Sequence, residues 1–67
     1  MQVTGVLKNA EWDPVYPVVW GDIYGDTRER FEDGQRIHTS KIVRVRHGTK
    51  QDFIQTLNSY YQVEWKD

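Results

Sequence analysis

Phe53-Ile54-Gln55-Thr56-Leu57-Asn58-Ser59-Tyr60-Tyr61-Gln62-Val63-Glu64-Trp65 is the stretch that decides the fold. Phe53, Gln55 and Leu57 alternate with Ile54 and Thr56. Beyond a polar break, Tyr61, Val63 and Trp65 alternate with Tyr60, Gln62 and Glu64. A period of two sends successive side chains to opposite faces of a strand, whereas a helix repeats every 3.6 residues. Asn58-Ser59 predicts the turn between the runs, because the short Asn side chain tolerates positive φ. The segment therefore reads as a β-hairpin.

The same period extends upstream. His47-Gly48-Thr49-Lys50 reads as a turn, and residues 36–47 as an extended segment with Val43 and Val45 inward and a break near Thr39-Ser40. Residues 17–24 form a strand in which Val19, Gly21 and Ile23 oppose Val18, Trp20, Asp22 and Tyr24. Residues 2–9 form another, with Val3, Gly5 and Leu7 sharing a face. Asp13-Pro14 and Pro17 make 10–17 a loop or irregular edge, since proline cannot donate to a ladder. The polar connection 25–34 carries Phe31 as an anchor and ends on the turn signal Asp33-Gly34. About five short strands joined by polar turns predict an all-β fold: a small, strongly bent antiparallel sheet or a partly open SH3-like barrel. The 67 residues suffice for a single domain.

Composition narrows the function. The chain has no cysteine, which removes disulfides, thiol catalysis and thiolate zinc sites, and fits a reducing, cytoplasmic setting. No apolar run approaches 20 residues, and the start does not resemble a signal peptide. Neither a nucleophile elbow nor a His-Glu-x-x-His pattern nor a phosphate-cradling glycine loop is present, so no enzymatic activity and no cofactor are expected. The acids Asp22, Asp26, Glu29, Glu32 and Asp33 lack calcium-loop spacing and read as turn formers, so no metal is expected.

Aromatic content points to a partner. A chain this short buries only about 60% of its unfolded surface. It carries three Trp, four Tyr and two Phe, more rings than one small interior holds. Trp20, Tyr24, Ile54 and Tyr60, with Ile42, fall on faces opposite the expected core and predict an exposed patch that a partner or a second copy covers. Strong bending that encloses both sets, or Trp12 and Tyr16 folded over them, is the competing reading.

Charge is segregated. Residues 1–34 carry a net −4, residues 35–51 a net +5 with no acid, and residues 52–67 a net −2. Arg44 and Arg46 share a strand face by period two. Two guanidinium forks with Thr39 or Ser40 alongside could hold phosphate; equally, the arginines could form a solvated strand face paired with acids. A net charge of −1 argues against nonspecific DNA binding and makes the chain a poor nucleic-acid mimic.

A resemblance adds a source. Gly21-Asp22-Ile23-Tyr24-Gly25-Asp26, then Arg30-Phe31-Glu32-Asp33-Gly34, Ile37-His38-Thr39-Ser40 and Ile54-Gln55-Thr56-Leu57-Asn58-Ser59-x-Tyr61 together resemble a pattern of small, uncharacterised bacteriophage and prophage accessory proteins, over residues 18–63. Glu29 departs from it, standing where similar proteins often carry Gly; if that position needs positive φ, this loop must take another path. The resemblance implies a phage protein acting in the host cytoplasm by binding and blocking.

Two functions follow as expectations. The first is a non-enzymatic, self-associating binding protein that occludes a host defence or regulatory protein, with Trp20, Tyr24 and Tyr60 as anchors and Arg44 and Arg46 at the rim. The second is an oligomer that sequesters a phosphorylated small molecule or oligonucleotide through Thr39, Ser40, Arg44 and Arg46.

Overall fold

The computed structural model describes residues 2–67. It is all-β: β1 (Gly5–Trp12), β2 (Val19–Tyr24), β3 (Arg36–His38), β4 (Arg44–His47), β5 (Asp52–Gln55) and β6 (Tyr60–Trp65) form one sheet in the order β3-β2-β1-β6-β5-β4. Every ladder is antiparallel except β1 with β6, which is parallel and runs from Gly5 opposite Tyr61 to Ala10 opposite Trp65. The sheet is thus mixed, and its central ladder joins the two ends of the chain, a pairing that alternation along the sequence does not encode. Thr4 locks it, its N–H donating to the Tyr60 carbonyl at 2.6 Å and its hydroxyl accepting from Tyr60 N at 3.1 Å.

The expected long segment 36–47 is two strands, and they lie at opposite edges of the sheet. The break falls at Thr39–Val43, which crosses the open side. Thr39 N donates to Val19 O, Ile42 N to Pro17 O, and Val43 N to Gln55 O. The sheet curls far enough for five residues to bridge its edges, but no ladder joins β3 to β4, so the barrel stays open.

The core is aliphatic. Leu7, Ala10, Val19, Ile23, Ile37, Ile54 and Val63 are buried with Tyr61, the one ring among them. Gly21 on β2 lets β1 approach closely: a Cβ there would stand 3.0 Å from that of Leu7. The alternations read for β1, β2 and β6 hold, with Leu7, Val19, Ile23, Tyr61 and Val63 inward. On β1 a bulge at Asn9 (φ 52°) carries the strand on to Trp12 and turns Ala10 inward, so residues 10–12 are strand and the loop begins at Asp13.

The inward and outward assignments of residues 53–57 and of Val43 are corrected. Ile54 is fully buried rather than outward, because it lies opposite inward-facing Tyr61, and directly opposed residues of a ladder share a face. Phe53 and Gln55 therefore point out. The turn also sits one residue earlier than expected, on Leu57-Asn58, closed by Thr56 N donating to Ser59 O. Leu57 is consequently 85% exposed and exerts no inward pull. Val43, expected inward, is 51% exposed, since it lies in the crossing segment before β4; Val45 does pack against the core.

Glu29 adopts φ 53°, so the 25–34 loop follows the left-handed path with a residue poorly suited to it. Asp26 holds that path. Its side chain is buried and accepts from Arg28 N at 3.2 Å and Arg30 N at 2.8 Å, and it pairs with the Arg30 guanidinium. Burial alone would raise the Asp26 carboxyl; the two backbone N–H groups and then Arg30 outweigh it and hold it below its ordinary value of 3.8. Gly34 (φ 86°) ends the loop at the expected Asp-Gly turn, donating to Ile23 O.

Candidate binding sites

The cross-strand register places the expected anchors. Tyr24 lies opposite Val6, Val6 opposite Gln62, Gln62 opposite Phe53, and Phe53 opposite Arg46, so these five form one row across the outer face. The next row runs Tyr60, Gln55, Arg44. Tyr60, Arg44 and Arg46 are thereby brought together over β4–β6. Phe53, which alternation had placed inward, completes the patch by stacking on Tyr60 with ring centroids 5.4 Å apart and planes within 6°.

Arg44 and Arg46 are exposed and, among the described residues, make no ion pair. Four acids are committed elsewhere: Asp22 and Glu11 hold Arg36 at 3.0 and 2.9 Å, Asp26 holds Arg30, and Asp52 accepts from Trp65 Nε1 at 2.7 Å and faces His47 at 3.3 Å. The Trp65 N–H first, against a smaller opposing effect of burial, and then His47 hold the Asp52 carboxyl below its ordinary value.

The other two anchors stand apart from this patch. Tyr24 is three strands from Phe53 and lies under the Lys8 ammonium, 5.1 Å from its ring centroid. Trp20 is four residues from Tyr24 on β2, about 13 Å along the strand. It packs against His38 at 4.9 Å and donates from Nε1 to Asp13 at 2.9 Å. Asp13 also accepts from Val15 and Tyr16 N at 2.8 Å each, and the Tyr16 bond, then Trp20, hold its carboxyl below the ordinary value. Trp20, Tyr16, Pro17 and Val18 wall an apolar groove of about 480 Å³, with Asp13 and His38 at its margin. The outer rings thus do not form one stripe: Phe53 pairs with Tyr60, Trp20 with His38 and Trp12 with Trp65 at 5.8 Å, while Tyr16 and Tyr24 stack on no other ring among the described residues.

A second cavity, of about 380 Å³, opens between the 26–31 loop and the Leu57-Asn58 turn. Thr39 and Ser40 line it, as the phosphate reading requires, but the arginines with them are Arg28 and Arg30; Arg44 and Arg46 are elsewhere. Thr39 is buried, its hydroxyl accepting from Val19 N at 3.1 Å, and so serves the fold. Arg28 donates to the Asn58 carbonyl and to Ser59 Oγ at 3.3 Å; Arg30 donates to the Tyr61 hydroxyl at 3.3 Å. Arg28, Arg30, Ser59 and Tyr61 escape a reading of the sequence because their convergence depends on the parallel β1–β6 ladder and on the loop path at Glu29. The spacing Arg28-x-Arg30 was the available signal.

The chain matches no protein-family model, no curated protein and no solved structure with which it was compared.

Proposed function

We propose that this chain is a non-enzymatic binding protein that occludes a partner protein through the outer face of β4–β6. The observation that carries the reading is the pair Arg44 and Arg46, which make no ion pair among the described residues, beside the stacked Phe53 and Tyr60. Rings anchor contacts through large area at small entropic cost, and guanidinium forks orient an acidic partner by paired hydrogen bonds. Edge strand β4 adds open backbone groups on its free side, where an extended acidic segment could pair.

Two uncompensated positive charges favour an acid-bearing partner over a second copy, since a two-fold contact sets the patch against itself. The resemblance of residues 18–63 to small phage proteins supports a host defence or regulatory protein of the bacterial cytoplasm as that partner. Blocking by occlusion suits a domain too small to surround a substrate.

The test is retention of partners from a bacterial lysate on the immobilised chain. A specific protein held by the wild type, released as salt screens the arginines, and lost with Arg44→Glu plus Arg46→Glu or with Tyr60→Ala supports the reading. Equal retention by wild type and variants overturns it. Sizing at tens of micromolar, where a dimer would show, tests self-association separately.

A further inference from the structure

The two cavities share a wall. His38 faces both the polar cavity of Arg28 and Arg30 and the apolar groove of Trp20 and Tyr16, and Ser40 and Lys41, successive in the chain, line one each. Neither cavity contains any of Phe53, Tyr60, Arg44 or Arg46, so the inference stands apart from the proposed protein interface.

The polar cavity has the chemistry of an anion site. Its side chains present hydrogen-bond donors from Arg28, Arg30, Ser40, Ser59 and Tyr61, and no carboxylate stands among its lining residues. Asp26 neutralises Arg30 from behind, but Arg28 has no acidic partner among the described residues and rests on a neutral carbonyl and a hydroxyl. A ligand anion would therefore replace neutral acceptors and not compete with a carboxylate. Glu29 in the left-handed conformation separates the two arginines, while Asp26 fixes the backbone N–H of both. The guanidinium groups are in this way placed before any ligand arrives, which lowers the entropic cost of binding. Several donors converging from three segments suit a phosphate, whose terminal oxygens accept more bonds than a carboxylate does.

The groove has the chemistry of a stacking slot. Trp20 is held by the Asp13 carboxylate on one side and the His38 ring on the other, and Tyr16 stands 68% exposed beside it. Asp13 keeps its charge, because three N–H groups donate to it, and it offers an acceptor to an exocyclic amine. Each recess lies within the size range of small-ligand sites, about 300–1,000 Å³.

We propose that the two recesses form one bipartite site for a nucleotide, its phosphate between Arg28 and Arg30 and its base against Trp20, with His38 as the shared wall. The full-length protein titrated calorimetrically with inorganic phosphate, adenosine and adenosine 5′-monophosphate tests it, with tryptophan fluorescence reporting the base. The nucleotide is expected to bind at least about tenfold more tightly than either fragment, one bond to a charged group accounting for a step of that size. Arg28→Ala is expected to bring it to the level of adenosine, and Trp20→Ala to the level of phosphate. Arg28 is exposed and makes no ion pair among the described residues, so Arg28→Ala is expected to fold with a modest loss of stability, and a cooperative melt well above the titration temperature confirms that. Phosphate binding as tightly as the nucleotide, adenosine binding as tightly as the nucleotide, or undiminished nucleotide binding by Arg28→Ala overturns the proposal.

Discussion

Arg28 and Arg30 have the same spacing as Arg44 and Arg46, yet the two pairs occupy opposite regimes. The first pair lies in a loop whose backbone is pinned by a buried carboxylate, and each guanidinium rests on groups from the Leu57–Tyr61 segment. The second lies on an edge strand, side by side on the outer face, and makes no ion pair among the described residues. Spacing places two side chains relative to a backbone; the backbone conformation decides whether they converge inward or stand out. At Arg28-Glu29-Arg30 a left-handed residue intervenes, and at Arg44-Val45-Arg46 an extended one does. The first pair contributes to the fold, and the second is free for another molecule.

The contrast is sharpest at Asp26. Asp26→Ala leaves two buried-side N–H groups and one guanidinium without their acceptor, which costs about 3 kcal/mol. In a domain of this size that is a fall in Tm on the order of 10–20 °C, read by thermal or urea unfolding. A loss below about 1 kcal/mol would make the loop pair as unconstrained as the strand pair.

The same carboxylate sets part of the acid limit. Its folded pKa lies below the ordinary value of 3.8, so the unfolded chain takes up the proton first. The stabilisation is complete above that value and is lost as pH falls through it toward the folded pKa. Asp13, Asp22 and Asp52 act in the same direction. Urea midpoints between pH 5 and 2 are expected to fall less steeply for Asp26→Asn than for the wild type, and parallel curves would remove Asp26 from this role.

Glu29 gives a smaller effect. A β-branched residue fits φ 53° worse than Glu does, so Glu29→Val is expected to cost about 1–2 kcal/mol. Glu29→Gly relieves the strain but adds freedom to the unfolded chain, and is expected to lie within about 1 kcal/mol of the wild type. If both variants unfold alike, the left-handed path is not what organises the arginines.

Legibility follows the same division. The all-β class, the inward sets of β2 and β6 and the Asp33-Gly34 turn were readable, because alternation and turn chemistry are local. Ile54 reads as outward because Phe53 and Leu57, two large apolar residues, suggest an inward face that one ladder partner, Tyr61, overrules. The outward position of Phe53, where it stacks on Tyr60, is for the same reason not readable from alternation alone. The parallel ladder between chain ends and the separation of β3 from β4 depend on distant pairings, and with them went the Arg28–Arg30 cavity. Thr39 and Ser40 line a cavity with Arg28 and Arg30 and not with Arg44 and Arg46, since proximity in sequence does not survive the crossing at 39–43.

The smallest expected effect tests the other half of the contrast. Arg44→Ala with Arg46→Ala removes two exposed side chains that hold no acid and bridge no elements, so stability is expected to change by no more than about 0.5 kcal/mol. The sign leans toward a gain, because the substitution relieves repulsion between like charges sharing a strand face. A strand position also favours larger side chains than Ala on a half-exposed surface, which offsets part of that gain. Arg44→Thr with Arg46→Thr separates the two contributions by keeping the strand preference while removing the charge. Its melting temperature is expected at or slightly above that of the wild type, rising least in high salt, where the repulsion is already screened. A fall comparable to that of Asp26→Ala would mean that these arginines hold the sheet edge in place, and the face they mark would then be structural.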